Sequence, residues 1–524
     1  MRQSVHIAGM LAIGLILCSA VKGNELREFD DWPMYGRNLQ HTFTNPDSLI
    51  TAKNVSRLQP AWVFPTGDAV SASPAVVDGV VYTGSWDGYF YAIDARSGQL
   101  RWKFRLDCQM TVVPIPEVCG GPSPGPDPLR FTTPGGIVTA SPALSEGTLY
   151  FAGGKTVYAL KASDGTLLWK RIICGRPEEN DCASDANDPT QVLSSPSVFD
   201  GKIFFGADTG GVAFNIPYRG GFVALDTKTG NLIWRFEVDR RLDGKGHVDG
   251  VQNRGCGNVW SSPAIDPRLR LVFFGTADCE EQPLPPYHGS VLALDTETGH
   301  IRWIFRPRES DPNKCDFDFG ASPNLIEVYD KKYVGIGGKD GTYYLLDRLT
   351  GQQSWATRVV FGGGVGGFFG GAAFDGHRIF SATGFGDGNV NTQTGLCNPH
   401  YSDPANPHIV DSFVQEPSMH ALDVAGSILW EENNNQSFGA TTLAGRVVFS
   451  GFTGLSETDL PAIKAYDARG RAQGSRLLFV YPTQVSGQPG MVDSAIVPVG
   501  RMVFFGSGNF FDGSGSGIHA LTLP

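Results

Sequence analysis

Residues 71–106 read Ser71-Ala-Ser-Pro-Ala-Val-Val-Asp-Gly79, then Val80-Val-Tyr-Thr-Gly84, then Tyr91-Ala-Ile-Asp94, a Ser97-Gly98 turn, and Leu100-Arg-Trp-Lys-Phe104. Four short apolar runs are separated by Asp, Ser and Gly turns, which is the pattern of a four-stranded antiparallel meander. The unit returns near residues 139–173, 193–238, 260–307, 320–359, 369–434, 438–482 and 492–523, eight copies in all. Self-similarity at this period predicts one repeat architecture across a chain whose 524 residues would otherwise suggest several domains. Ser-Pro pairs open the first strand at Pro74, Pro142, Pro196, Pro263 and Pro323. A tryptophan marks the last strand at Trp102, Trp169, Trp234, Trp303, Trp355 and Trp430. An indole between neighbouring units covers apolar surface while its N–H reaches a backbone acceptor in the next unit. Lys161 and Phe479 interrupt the pattern, standing where the turn Asp and the seventh Trp are expected.

The eighth copy stops after its third strand, and the fourth-strand pattern Pro60-Ala-Trp62-Val-Phe64 stands alone near the other end of the chain. Pairing the two closes a ring and removes both sheet edges. The expected fold is therefore an all-β, eight-bladed β-propeller of four-stranded antiparallel blades, a single domain over residues 24–524.

In such a meander the connections between strands one and two, and three and four, share one face. Here these are tight, as at Asp78-Gly79, Asp200-Gly201 and Thr229-Gly230. The remaining connections are long, at residues 107–138, 174–192, 239–259, 277–289 and 385–418, and lie on the opposite face. Long loops on a rigid scaffold are where binding and catalysis concentrate.

Arg2, the apolar residues 7–17 and the small residues Ser19, Ala20 and Gly23 read as a secretory signal, expected to be removed near residue 23. That implies a periplasmic or secreted protein. Losing Cys18 leaves Cys108, Cys119, Cys174, Cys182, Cys256, Cys279, Cys315 and Cys397, all in or beside the long loops. An even number in an exported chain reads as disulfides; neighbour logic pairs 108 with 119, 174 with 182, 256 with 279, and 315 with 397. No Cys-x-x-Cys supports a thiolate metal site, and no Cys-x-x-Cys-His supports attached haem. A net charge of −11 argues against a nucleic-acid partner. No later segment is apolar enough for a transmembrane span.

The opening Asp31-Trp-Pro-Met-Tyr-Gly36, together with Val259-Trp260-Ser-Ser-Pro-Ala-Ile-Asp-Pro267 and Asp316-Phe-Asp318-Phe-Gly-Ala-Ser-Pro323, resembles the pyrroloquinoline quinone (PQQ)-dependent alcohol dehydrogenases. The resemblance covers essentially the whole mature chain and is greatest to the polyvinyl-alcohol-dehydrogenase-like branch. It implies a quinoprotein oxidising a primary or secondary alcohol, including polyols or polymeric alcohols. Electrons would pass to a separate acceptor, a cytochrome c.

Carried over by position, the resemblance makes Trp260 the floor under the quinone and Asp316 the catalytic base that takes the alcohol proton. Lys339 becomes the cation at the reactive carbonyls, where positive charge stabilises a developing oxyanion. Asp278 and Asp208, with Asp316, become ligands to Ca²⁺, a hard cation that prefers oxygen donors. Asp318 falls beside the cofactor, either as a second metal ligand or as a strand-edge polar residue. The pair of carboxylates at 316 and 318 leaves room for a larger ion of higher charge, a lanthanide.

Read without the resemblance, Trp260 is a core aromatic at a strand start, Asp316 caps a turn beside Cys315, and Lys339 is a hairpin lysine in solvent. Three features depart from the family pattern. Ser71 stands where many members place Glu, Thr139 where an Arg to a PQQ carboxylate is expected, and the adjacent Cys-Cys disulfide is missing. Arg254 or Arg219 is then the available cationic substitute. The competing reading is a non-catalytic propeller that serves as an interaction or assembly platform.

Overall fold

The computed structural model describes residues 31–106, 136–176, 182, 185, 188–209, 218–238, 257–277, 287–308, 317–363, 366–385, 417–454, 460–470, 476–509 and 512–524. Eight four-stranded antiparallel sheets follow one another along the chain, at residues 75–105, 143–172, 197–237, 264–305, 324–358, 373–433, 442–482 and 497–522. These are blades 1 to 8, each running from an innermost first strand to an outermost fourth. Blade 8 takes its outer strand from the other end of the chain: Gln59–Pro65 pairs antiparallel with Gly517–Thr522. The ring closes as the orphan strand pattern predicts.

Blade-to-blade packing explains the repeat. The Trp62 Nε1–H donates to the Ala95 carbonyl at 2.9 Å, Trp102 to Ala162 at 3.0 Å, and Trp169 to Thr227 at 2.9 Å. Trp234, Trp303, Trp355 and Trp430 do the same toward Thr296, Arg348, Val424 and Ala468. Each acceptor belongs to the next blade and directly follows its turn residue, usually Asp. The turn glycine lies against the incoming indole: a Cβ on Gly299, at φ +70°, would sit 2.7 Å from Trp234. So Asp, Gly and Trp recur because the turn of one blade is the socket for the tryptophan of the preceding one. A register shift just before the Trp recurs in the fourth-strand pairings.

Around the central axis the first strands present edges that no fifth strand covers. Two devices satisfy them. The Ser73 N–H donates to Ser141 Oγ, Ser141 to Ser195, Ser195 to Ser262 and Ser262 to Ser322, and Ala495 N–H donates to Ser73. This belt of serines explains the Ser-Pro pairs. Blade 6 has Gly371 at the belt position, and its N–H turns to the Tyr35 hydroxyl at 3.3 Å.

The second device is the segment that carries Tyr35. Its carbonyls at Trp32, Pro33, Leu39, Gln40, Thr42 and Phe43 accept from Val76, Leu144, Ile265, Leu325, Phe374 and Leu443, the inner strands of blades 1, 2, 4, 5, 6 and 7. Thr44–Asn45 then adds a short parallel strand to blade 7, and Asn45 Nδ2 reaches the Pro498 carbonyl of blade 8. Residues 32–45 thus strap the tight-turn side of the channel, pairing backbone groups that burial would otherwise leave costly.

Candidate functional site

The strap contacts at Val76, Leu144, Ile265, Leu325, Phe374 and Leu443 each lie five residues after Ser71, Thr139, Trp260, Gly320, Phe369 and Phe438. In every case the latter residue stands immediately before a bend that leads into the inner strand, at the end where the long inter-blade connection arrives. The latter six, with Leu193 of blade 3 and Asp493 of blade 8, therefore form a ring of equivalent positions at the other end of the channel, on the loop-rich face.

The ring is unequal around its circumference. In blade 4, Trp260 projects its indole over blade 5, where a Cβ on Gly320 would lie 1.6 Å from the indole Cη2. Glycine at 320 is what lets the ring lie across the mouth. The indole meets Phe369 of blade 6 at a centroid distance of 5.9 Å, tilted 31°, and Phe369 meets Phe438 of blade 7 edge-on at 5.0 Å. Blades 4 to 7 thus carry an aromatic shelf. Asp493 follows in blade 8, beside the Phe438 end of the shelf, then Ser71 and Thr139, with the Ser71 hydroxyl accepting from the Trp86 Nε1–H at 2.9 Å.

Lys339 is no solvent hairpin lysine. It is 4% exposed, its ammonium lies 5.6 Å from the centre of the Phe369 ring, and it stands 3.9 Å from Asp318 Oδ1, whose side chain is fully buried. The Lys339 N–H also donates to the Asp318 carbonyl at 2.9 Å. Opposite charges this close attract more strongly in a low-dielectric site than in water. The glycines before blade 6 make this approach possible: a Cβ on Gly362 would lie 2.3 Å from the Lys339 carbonyl oxygen, which accepts from the Gly363 N–H at 3.0 Å. Trp260 and Lys339 both lie against Phe369, and Asp318 stands beside Lys339.

Asp208 is buried at the end of the second strand of blade 3, exchanging backbone hydrogen bonds with Gln191, whose side-chain amide donates to Asp208 Oδ2 at 3.2 Å. Arg219, one of two cations available to replace the missing arginine, is paired with Glu237 at 3.2 Å, both buried. Cys174 and Cys182 form a disulfide as their spacing suggests. Asp316, Asp278, Arg254, Cys108, Cys119, Cys256, Cys279, Cys315, Cys397 and the signal segment lie outside the described residues.

Five members of the ring received no role from the motif reading: Leu193, Gly320, Phe369, Phe438 and Asp493. Their signal was present, since each stands at the same step before the inner strand as Trp260. Lys155 is a further case. It matches Lys339 as the residue after a Gly-Gly pair, and it is buried in blade 2 with Asp188 Oδ2 at 3.9 Å. Asp493 differs most from its counterparts. Its Oδ1 is buried with no hydrogen-bond partner among the described residues, and burial pushes its pKa up to about 7.

The fold is thus a closed eight-bladed β-propeller with an aromatic shelf and a buried lysine–carboxylate pair at one end of its channel. Residues 32–121 and 178–359, more than half of the chain, match a family described as PQQ-type glucose/ethanol/alcohol dehydrogenase, β-propeller domain, and the chain belongs to this family. It is 26% identical over 379 residues to a polyvinylalcohol dehydrogenase of Pseudomonas sp, covering 67% of this chain and 54% of that one. It is also 26% identical over 393 residues to quinohemoprotein alcohol dehydrogenase ADH-IIG of Pseudomonas putida, covering 68% and 50%. The chain thus spans about half the length of these curated relatives. Among solved structures, quinohemoprotein alcohol dehydrogenase from Comamonas testosteroni superposes with a TM-score of 0.68 at 20% identity, over 94% of this chain and 80% of that one. A europium-containing methanol dehydrogenase gives 0.67 at 18% identity, over 94% and 98%. These two likenesses concern the fold.

Proposed function

We propose that this chain is a quinoprotein alcohol dehydrogenase that works outside the cytoplasm. The observation that carries the reading is that Trp260 and Lys339 both lie against Phe369 at one mouth of the ring, with Asp318 beside Lys339. The residues suit PQQ: Gly320 clears space for a flat indole platform, aromatic edges extend it, and a buried ammonium faces it. PQQ supplies the two-electron acceptor for the alcohol, and a bound cation supplies Lewis acidity.

The chain's own residues do the rest. Trp260 would hold the planar cofactor by stacking. Lys339 brings positive charge to the carbonyl edge, where negative charge develops, and Asp318 holds the ammonium in place. Asp316 takes the proton from the alcohol hydroxyl as general base. Asp208, Asp278 and Asp316 offer the hard oxygen donors for Ca²⁺, and Asp318, two residues from Asp316, extends that set toward an ion of higher charge such as a lanthanide. The substrate is a primary or secondary alcohol, with a polyol or polymeric alcohol favoured by the polyvinylalcohol dehydrogenase relatives. Electrons continue to an external acceptor such as cytochrome c. Export through residues 1–23 accords with the Cys174–Cys182 disulfide, and no helix of the described residues is long and apolar enough to cross a membrane.

Reconstitution tests the reading. Purified protein loaded with PQQ and either Ca²⁺ or a lanthanide should reduce an artificial acceptor when given primary, secondary and polymeric alcohols. Asp316→Asn should lower turnover by at least a hundredfold while the cofactor stays bound. Absence of both PQQ binding and alcohol oxidation would remove the proposal.

A further inference from the structure

Asp493 occupies the blade 8 position of the ring that carries Trp260, Phe369 and Phe438 in blades 4, 6 and 7. Four blades from blade 4 in a ring of eight, it stands across the mouth from the root of the indole shelf. Blades 6 and 7 fill the same position with phenylalanine, and an apolar side chain there would serve packing without cost. Instead blade 8 places a half-buried carboxyl group there, whose Oδ1 is shielded from solvent and meets no donor among the described residues. Shielding a carboxylate oxygen from water with no donor beside it is costly, and a neutral acid held there still forfeits a hydrogen bond. A partner that arrives from outside would resolve both.

We propose that Asp493 is a cofactor-binding residue, whose neutral carboxyl group donates a hydrogen bond to a carboxylate of PQQ. The inference rests on the reading that PQQ occupies this mouth. PQQ carries three carboxylates. An ionised Asp493 would repel them, whereas the protonated group supplies a donor to an anionic acceptor, the stronger class of hydrogen bond. It would also meet part of the need created by Thr139 at the expected arginine position.

The surroundings favour the neutral acid. Burial alone raises the Asp493 pKa to about 7, with no charged side chain contributing. The flanking blades present Phe438 and Gly439 on one side and Ser71 and Trp86 on the other, all uncharged. Asp68, on the approach to blade 1, accepts from the Ala69 N–H; Asp318 and Lys339 of blade 5 pair with each other. On the blade 2 and 3 sides, Lys155 lies with Asp188, and Arg219 with Glu237.

Binding should therefore take up a proton at alkaline pH. Apoprotein is titrated with PQQ at constant Ca²⁺ between pH 6 and 8.5, following quenching of tryptophan fluorescence, with equilibrium dialysis as a second measure. Wild-type Kd should be flat below pH 7 and should rise above it, approaching tenfold per pH unit. Calorimetry in buffers of different ionisation enthalpy should find close to one proton absorbed at pH 8.5 and almost none at pH 6. Asp493→Asn should flatten the profile, and Asp493→Ser stands in should the first variant not fold. A wild-type Kd independent of pH across this range, or an unchanged slope in the variants, overturns the role of Asp493 while leaving the dehydrogenase reading intact. No PQQ binding at any pH would instead overturn the reading beneath it.

Discussion

The turn glycines of this propeller answer to two constraints at once. Gly299 adopts φ +70°, and its missing side chain is the space that the Trp234 ring occupies. Gly147 adopts φ +76°, but a Cβ there would meet nothing within 4 Å. Comparing the two separates backbone strain from lost packing. Gly147→Ala should cost about 1 kcal/mol, the price of a left-handed alanine. Gly299→Ala should cost roughly 3 kcal/mol, because the indole must also shift from its acceptor at Thr296. Urea unfolding of the two variants checks this, and equal losses would show that the indole contact contributes little. In the equivalent turn of blade 1, the Arg101 guanidinium and the Ser97 N–H and hydroxyl lower the Asp94 pKa to about 2, so this socket stays ionised well into acid.

At the scale of an element, the strap over residues 32–45 matters most. His41 is fully buried within it, edge-on to Tyr35 at 5.6 Å and to Phe43 at 5.9 Å. Burial lowers its pKa to about 3, opposed only by the Pro323 backbone. The unfolded chain therefore takes up a proton near pH 6.5 that the folded strap refuses, and stability falls as pH drops from about 6.5 toward 3. His41→Phe keeps an aromatic ring between Tyr35 and Phe43 and deletes the proton. Between pH 7 and pH 5 its unfolding free energy should fall by about 2 kcal/mol less than that of the wild type. Denaturant unfolding at the two pH values measures the difference; parallel losses would mean that His41 is charged in the folded protein. The motif Asp31-Trp-Pro-Met-Tyr-Gly36 was visible as a family mark, yet nothing in its order showed a strap, because its partners are scattered over the inner strands of almost every blade.

For the whole molecule, the decisive joint is the strand Gln59–Pro65 in blade 8. Trp62 packs on Gly98 and donates to Ala95 of blade 1, so a single residue joins the two ends of the ring. Trp62→Ala should lower global stability by about 3 kcal/mol, as removal of a large packed aromatic does. Melting followed by circular dichroism should show the entire β signal lost at a lower temperature. Release of the N-terminal strand alone, with the remaining blades melting unchanged, would show that closure is not cooperative.

Blade number, strand order and ring closure were all legible in the order of residues, since each blade repeats a local pattern and the closing strand carries it too. Trp260, Asp318 and Lys339 could be named because short motifs mark them. The spacing of Cys174 and Cys182 also suggested their pairing. What only the tertiary structure decided is which residues of different blades share the mouth. Phe369, Phe438 and Asp493 carry no motif; they matter because eight equivalent positions, far apart along the chain, are brought to one axis. It also decided that Lys339 is buried beside a carboxylate and that Arg219 is already committed to Glu237. Local pattern specifies a strand and its turn, whereas charge pairing and burial depend on neighbours that the chain supplies only by closing on itself.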